Sequence, residues 1–76
     1  MKLLALVNVD QEANAAYVDL NPDLSEHAKR GMVARTKEVM PGILLDFDAF
    51  GHLVGIELLG ARTKLARLDR ESKATT

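Results

Sequence analysis

Cysteine and tryptophan are absent from this 76-residue chain, and its aromatic side chains are Tyr17, Phe47 and Phe50 alone. Without cysteine there is no disulfide scaffold and no thiolate metal site. Histidine is scarce as well: His27 and His52 lie 25 positions apart, so no zinc-ligand spacing exists. The longest apolar run near the N-terminus, Leu3 to Val7, is interrupted by Asn8 and Asp10, too short for a signal-peptide core or a membrane span. Charge of one sign does not dominate, since the net charge is −1 with 28% charged residues. With 47% hydrophobic content, that balance excludes intrinsic disorder. A soluble, cytoplasmic protein is expected, with no membrane association.

What is present reads as one small α+β domain over residues 1–70, followed by a disordered tail over 71–76. A domain of this size buries only about 60% of its unfolded surface, and oligomerisation is a usual remedy where disulfides and metals are missing. Period-2 alternation marks two hairpins. In the first, Lys2–Val9 is a strand, Gln11–Asn14 a loop and Ala15–Leu20 the return, with Val9 opposite Ala16 and Asn14 in the left-handed region. In the second, Ile43, Leu45 and Phe47 share a face with Val54, Ile56 and Leu58. Its loop is Asp48–Gly51, with Phe47 opposite His52 and Gly51 at positive φ. Leu24–Met32 holds a short helical turn capped by Ser25, and Ala34–Val39 is a polar edge strand ended by Pro41–Gly42. From Ala61 the spacing changes: Ala61, Leu65 and Leu68 recur at i, i+4 and i+7, which predicts one C-terminal amphipathic helix packed on one face of the sheet.

One helix leaves the other sheet face uncovered. That face carries Leu4, Leu6, Ala15, Tyr17, Leu44, Leu53 and Leu59 among Asp19, Asp46, Asp48 and Glu57. Leu4, Leu6, Tyr17, Leu44 and Leu53 are therefore the candidate interface residues of a homo-oligomer, dimer or higher. Charge is segregated along the chain: residues 1–28 carry −4, 29–45 carry +3, 46–59 carry −3 and 60–76 carry +3. Such blocks suit a complementary protein interface. The basic residues Arg62, Lys64, Arg67 and Arg70, with Lys29, Arg30, Arg35 and Lys37, offer an alternative nucleic-acid contact. A pI of about 6.1, three aromatics and the lack of an RNA-recognition or helix-turn-helix signature weigh against it.

Catalytic and cofactor chemistry find little support. Asp46, Asp48, Gly51 and Glu57 match four positions of a calcium loop, but Phe50 takes a ligand position and no flanking helices are predicted. A hairpin turn explains Asp48 and Gly51 without a cation. Gly51, Gly55 and Gly60 do not form a phosphate loop, and Ser25, Ser72 and the threonines have no nucleophile signature. His52 is a lone turn-flanking residue. No enzyme activity, cofactor or metal is expected.

Two stretches carry a family resemblance. VDQEANAAYVDL (Val9–Leu20) and DFDAFGHLVGIELL (Asp46–Leu59) resemble the opening and closing motifs of a small prokaryotic family known as domain of unknown function 2283. Members open with an apolar or tyrosine residue followed by Asp-x-Glu-Ala-Asp-Ala-x-Tyr-Ile, and close with Asp-x-Asp-x-x-Gly-x-x-Val-Gly-Ile-Glu-apolar-Leu. The resemblance spans roughly residues 5 to 68. Asn14 replaces an acidic residue, Phe50 a polar turn residue, and the linker Asn21–Gly31 is longer than usual. The resemblance implies a sheet of two hairpins plus a helix, and brings no catalytic residue. Some members resemble small partners encoded beside toxin genes, which implies an antitoxin- or inhibitor-like role with a toxin as partner, in a cellular or phage host.

Overall fold

The computed structural model describes residues 1–74, with side chains through Glu71. In chain order it contains β1 (Leu6–Asp10), β2 (Ala15–Asp19), α1 (Glu26–Met32), β3 (Arg35–Met40), β4 (Ile43–Phe47), β5 (Leu53–Leu59), α2 (Ala61–Lys64) and α3 (Ala66–Ala74). The strands form one antiparallel sheet in the order β1-β2-β5-β4-β3. The last strand is central, joining the first hairpin to the second, and β1 and β3 are the open edges.

The first hairpin keeps the expected register: Val9 faces Ala16 and Asn14 has φ 51°. The second departs from it by two residues. Leu45 faces Ile56 rather than Val54, and Phe47 faces Leu53 rather than His52. Two causes each contribute one residue. The loop closes a step earlier than expected, because Asp48 N–H donates to the His52 carbonyl at 2.9 Å and Gly51 N–H to the Asp48 carbonyl at 3.1 Å. A bulge between Asp46 and Phe47 adds the other. A two-residue shift preserves side-chain parity, so Ile43, Leu45, Ile56 and Leu58 stay on one face. The N-terminal strand is also shorter than its alternation suggests. β2 ends at Asp19, opposite Leu6, so among the described residues Lys2–Ala5 has no strand partner.

The C-terminal segment is not one amphipathic helix. Leu65 is extended (φ −106°, ψ 115°) and separates α2 from α3, and with α1 there are three short helices. Nothing between Thr63 and Arg67 marks this break in the sequence, which has neither glycine nor proline there. Leu65 and Leu68 nevertheless pack, as their spacing predicts, with Val18, Ile43 and Ile56 against a buried cluster of Ala16, Leu58 and Ala61. α3 is helical through Ala74, four residues into the segment expected as tail; residues 75–76 lie outside the described residues. Ser25 caps α1, its Oγ accepting from Ala28 N–H at 3.1 Å. No helix among the described residues is long and apolar enough to cross a membrane.

The core is thin for a chain of 8.3 kDa. Its buried apolar residues are Ala16, Val54, Leu58 and Ala61, and among the described residues no large side chain is fully buried. The accessible surface is 5893 Å², whereas a folded monomer of this mass exposes about 4,600 Å². The radius of gyration, 13.6 Å, likewise exceeds the roughly 11.4 Å of a compact chain of this length.

Candidate interaction surface

The open edge β1 carries a contiguous run of exposed apolar side chains; Phe50 in the second hairpin loop and Met40 on β3 are exposed as well. Leu6, Val7 and Val9 are 49%, 47% and 40% exposed, and Leu3 and Leu4 in the segment before it are 86% and 85% exposed. The strand alternates, so Val7 and Val9 join the row of Val18 and Ala16 on the helix side, while Leu6 and Asn8 join Asp19 and Tyr17 on the other side. The helices stop short of this edge. A groove of about 440 Å³ lies between it and α2–α3, lined by Val9, Asp10, Asn14, Arg62, Leu68 and Glu71 among others. A second, shallower hollow of about 290 Å³ flanks β1 near Asn8, Tyr17 and Glu57.

The candidate interface residues do not form one continuous leucine surface. Leu4 and Leu6 sit together at the β1 edge, and Leu53 begins the central strand β5, opposite Phe47 and beside the second hairpin loop. Between them, Tyr17 and Leu44 are half-buried in the middle of the face away from α2 and α3. Tyr17 is committed there: its hydroxyl donates to Asp46 Oδ2 at 2.9 Å, while Thr36 Oγ1 donates to Asp46 Oδ1 at 2.6 Å. The Tyr17 ring lies on the backbone of Gly55, the residue between the two strands it bridges; a Cβ there would overlap the ring. Burial, then the Asp46 hydrogen bond and charge, push the Tyr17 phenol above its ordinary range, so it remains a neutral donor. This chain of contacts over four strands escapes sequence reasoning because it depends on β5 lying between β2 and β4.

The acidic residues are distributed rather than gathered. Asp46 is held as described. Asp48 organises its own turn, accepting from Phe50 N–H at 2.9 Å, His52 N–H at 2.8 Å and the His52 ring at 3.0 Å. Those contacts, the His52 backbone donor foremost, hold its carboxyl below the usual range. Glu57 stands on the central strand, opposite Leu44 and Tyr17. Among the described residues, no group of three or more histidine and acidic side chains is placed to hold a metal ion.

The basic residues are similarly engaged. Arg62 donates to the Gln11 carbonyl at 3.3 Å, Lys64 to the Leu59 carbonyl at 2.5 Å, and Arg67 to Glu71 at 3.1 Å, while Arg70 is exposed. Arg35 lies over the Phe47 ring, 5.1 Å from its centroid. Lys29 of α1 pairs with Asp19, which is 3% exposed. The ion pair, aided by Asn21 N–H at 2.8 Å, lowers the Asp19 pKa against the desolvation that would raise it. The same contact raises that of Lys29. Asp19 thus anchors α1 to the end of β2, a pairing ten residues apart that no local pattern announces.

No curated protein and no solved structure matches the chain. A family model does match, over residues 6–62, which takes in all five strands, α1 and the start of α2. The chain accordingly belongs to the family described as protein of unknown function, DUF2283.

Proposed function

We propose that this chain is a non-enzymatic protein-interaction module that self-associates, in the manner of a small antitoxin- or inhibitor-like regulatory partner. The observation that carries the reading is the run of exposed apolar side chains, Leu3, Leu4, Leu6, Val7 and Val9, along a sheet edge whose outward backbone groups have no strand beside them. An unprotected apolar edge is a template for another strand, which monomeric proteins normally blunt with charge, proline or a covering element. β3, the other edge, carries charge over Arg35, Lys37 and Glu38, and only its end, Val39 and Met40, is apolar and exposed. The surplus of exposed surface, roughly 1,300 Å² over a typical monomer of this mass, exceeds the roughly 800 Å² that each partner buries in a standard interface.

The test is sedimentation equilibrium or light scattering on wild type and Leu6→Glu. Wild type at tens of micromolar is expected as a dimer or larger, and Leu6→Glu as a monomer with unchanged circular dichroism. A wild-type monomer at several hundred micromolar overturns the reading.

A further inference from the structure

Resting on the self-association proposed above, we infer that two copies join edge to edge through Lys2–Asp10, antiparallel about a twofold axis at Leu6, to make one continuous ten-stranded sheet. Three observations lead there. The first is Lys2–Ala5, whose alternation continues that of β1 although β2 has ended; a neighbouring copy supplies the missing partner. The second is parity. When a strand pairs with its own copy, residue i faces residue n−i, and outward backbone groups meet outward groups only if n is even.

The third is charge. Among the even registers, centring on Leu6 sets Lys2 against Asp10 of the partner subunit, so that the two charges ending the segment neutralise one another at both ends. Within one chain these residues are up to about 26 Å apart along a strand. Centring on Val7 instead would set Asp10 against the partner subunit's Leu4, and centring on Asn8 would set it against the partner subunit's Leu6. The Leu6 register also fills both hollows beside β1. Leu3 meets Val9 of the partner subunit, at the groove between β1 and the C-terminal helices. On the other face, Leu4 meets Asn8 of the partner subunit, beside the partner subunit's Tyr17. The perpendicular twofold puts both helical layers on the same side of the joined sheet.

The absence of native cysteine makes the register directly readable. Single-cysteine variants Leu4→Cys, Leu6→Cys and Asn8→Cys, at concentrations where the parent dimerises, are oxidised with copper phenanthroline in air. In the proposed register Leu6→Cys faces itself, within the 4.4–6.8 Å between Cα atoms, roughly, that a disulfide spans. Leu4→Cys and Asn8→Cys each lie about 13 Å from their own copies. Leu6→Cys is expected to crosslink nearly completely, the other two to stay uncrosslinked alone and to crosslink when mixed.

Charge supplies a second readout. Lys2→Met and Asp10→Asn, the latter keeping an acceptor for the Ala13 N–H, should each weaken dimerisation about 3- to 10-fold. The double variant should be no weaker than either single one. Self-crosslinking at position 4 or 8 but not 6, or fully multiplicative charge effects, in a protein that sediments as a dimer, overturns this register and leaves self-association standing. A monomeric wild type removes both.

Discussion

At the scale of single residues, the face away from α2 and α3 is organised by one close approach. Tyr17 spans from β2 across β5 to Asp46 on β4, and it can do so only because position 55 has no side chain. The φ of Gly55 is not in the left-handed region, so what the glycine supplies is space rather than an unusual backbone. Gly55→Ala should therefore displace the ring and break its bond to Asp46, costing about 1–2 kcal/mol. In a Tyr17→Ala background the obstruction is gone. There the same substitution should stabilise by about 0.5 kcal/mol, because alanine restricts the unfolded chain and suits a strand better than glycine. Urea denaturation of the four proteins at one fixed concentration reads the change of sign. Equal costs in both backgrounds would mean that the ring does not occupy that space. The tyrosine and the glycine are both visible in the sequence, but their contact is not, since it requires a strand order that pairs β2 with β5 and β5 with β4.

At the scale of elements, periodicity located the pieces and left their phase open. The register of the first hairpin was legible, because a four-residue loop ending in Asn14 and the apolar rows of both strands agree on it, but the start of its first strand was not, since pairing begins only at Leu6. In the second hairpin a shift of two residues over Ile43–Asp46 leaves those side chains on their expected faces, so alternation there cannot detect the tighter loop and bulge that produce it, while beyond the bulge Phe47 is set opposite Leu53. The i, i+4, i+7 spacing of Ala61, Leu65 and Leu68 likewise survives the extended residue that divides α2 from α3. Asn14 itself does more than turn the chain. Its carbonyl accepts from Gly60 N–H at 2.9 Å and Ala61 N–H at 3.0 Å, and its Oδ1 from Arg62 N–H at 3.0 Å. It therefore caps α2 from a loop 46 positions upstream of Gly60. The exposed donors of a helix start also favour negative charge nearby. Asn14→Asp, which restores the acidic residue found in the resembled motif, is expected to keep or slightly raise stability. Asn14→Gly should lose the Oδ1 bond while keeping the positive φ, and Asn14→Ala should lose both, at a cost of about 2 kcal/mol. Thermal denaturation of the series orders them; an Asn14→Ala variant as stable as Asn14→Gly would mean that the left-handed backbone carries no penalty there.

At the scale of the whole molecule, the thin core and the open edge are two sides of one deficit. β1 is exposed along its entire length and α1 buries no residue, so the layers that should close the sheet leave much of it wet. The sequence led to an expectation of outward leucines on a face that one short helix leaves uncovered; Leu4, Leu6 and Leu53 are exposed, whereas Tyr17 and Leu44 are half-buried. That the exposure concentrates at β1 was not legible, since it follows from where β2 ends and where α2 and α3 stop. If a second copy completes this surface, stability must depend on chain concentration, because association is then linked to folding. For a folded dimer, each tenfold rise in concentration favours the associated state by about 1.4 kcal/mol. Spread over two chains of this size, that raises the melting temperature by about 3–5 °C. Scanning wild type over about two decades of concentration, from roughly 5 µM to roughly 500 µM, should display that slope. Leu4→Glu/Leu6→Glu should melt lower and at one temperature throughout, because both substitutions lie outside the buried cluster of Ala16, Leu58 and Ala61 and spare the monomer's own packing. A wild-type melting temperature indifferent to concentration would mean that the edge strand is stable in water by itself, and that the exposed leucines drive nothing.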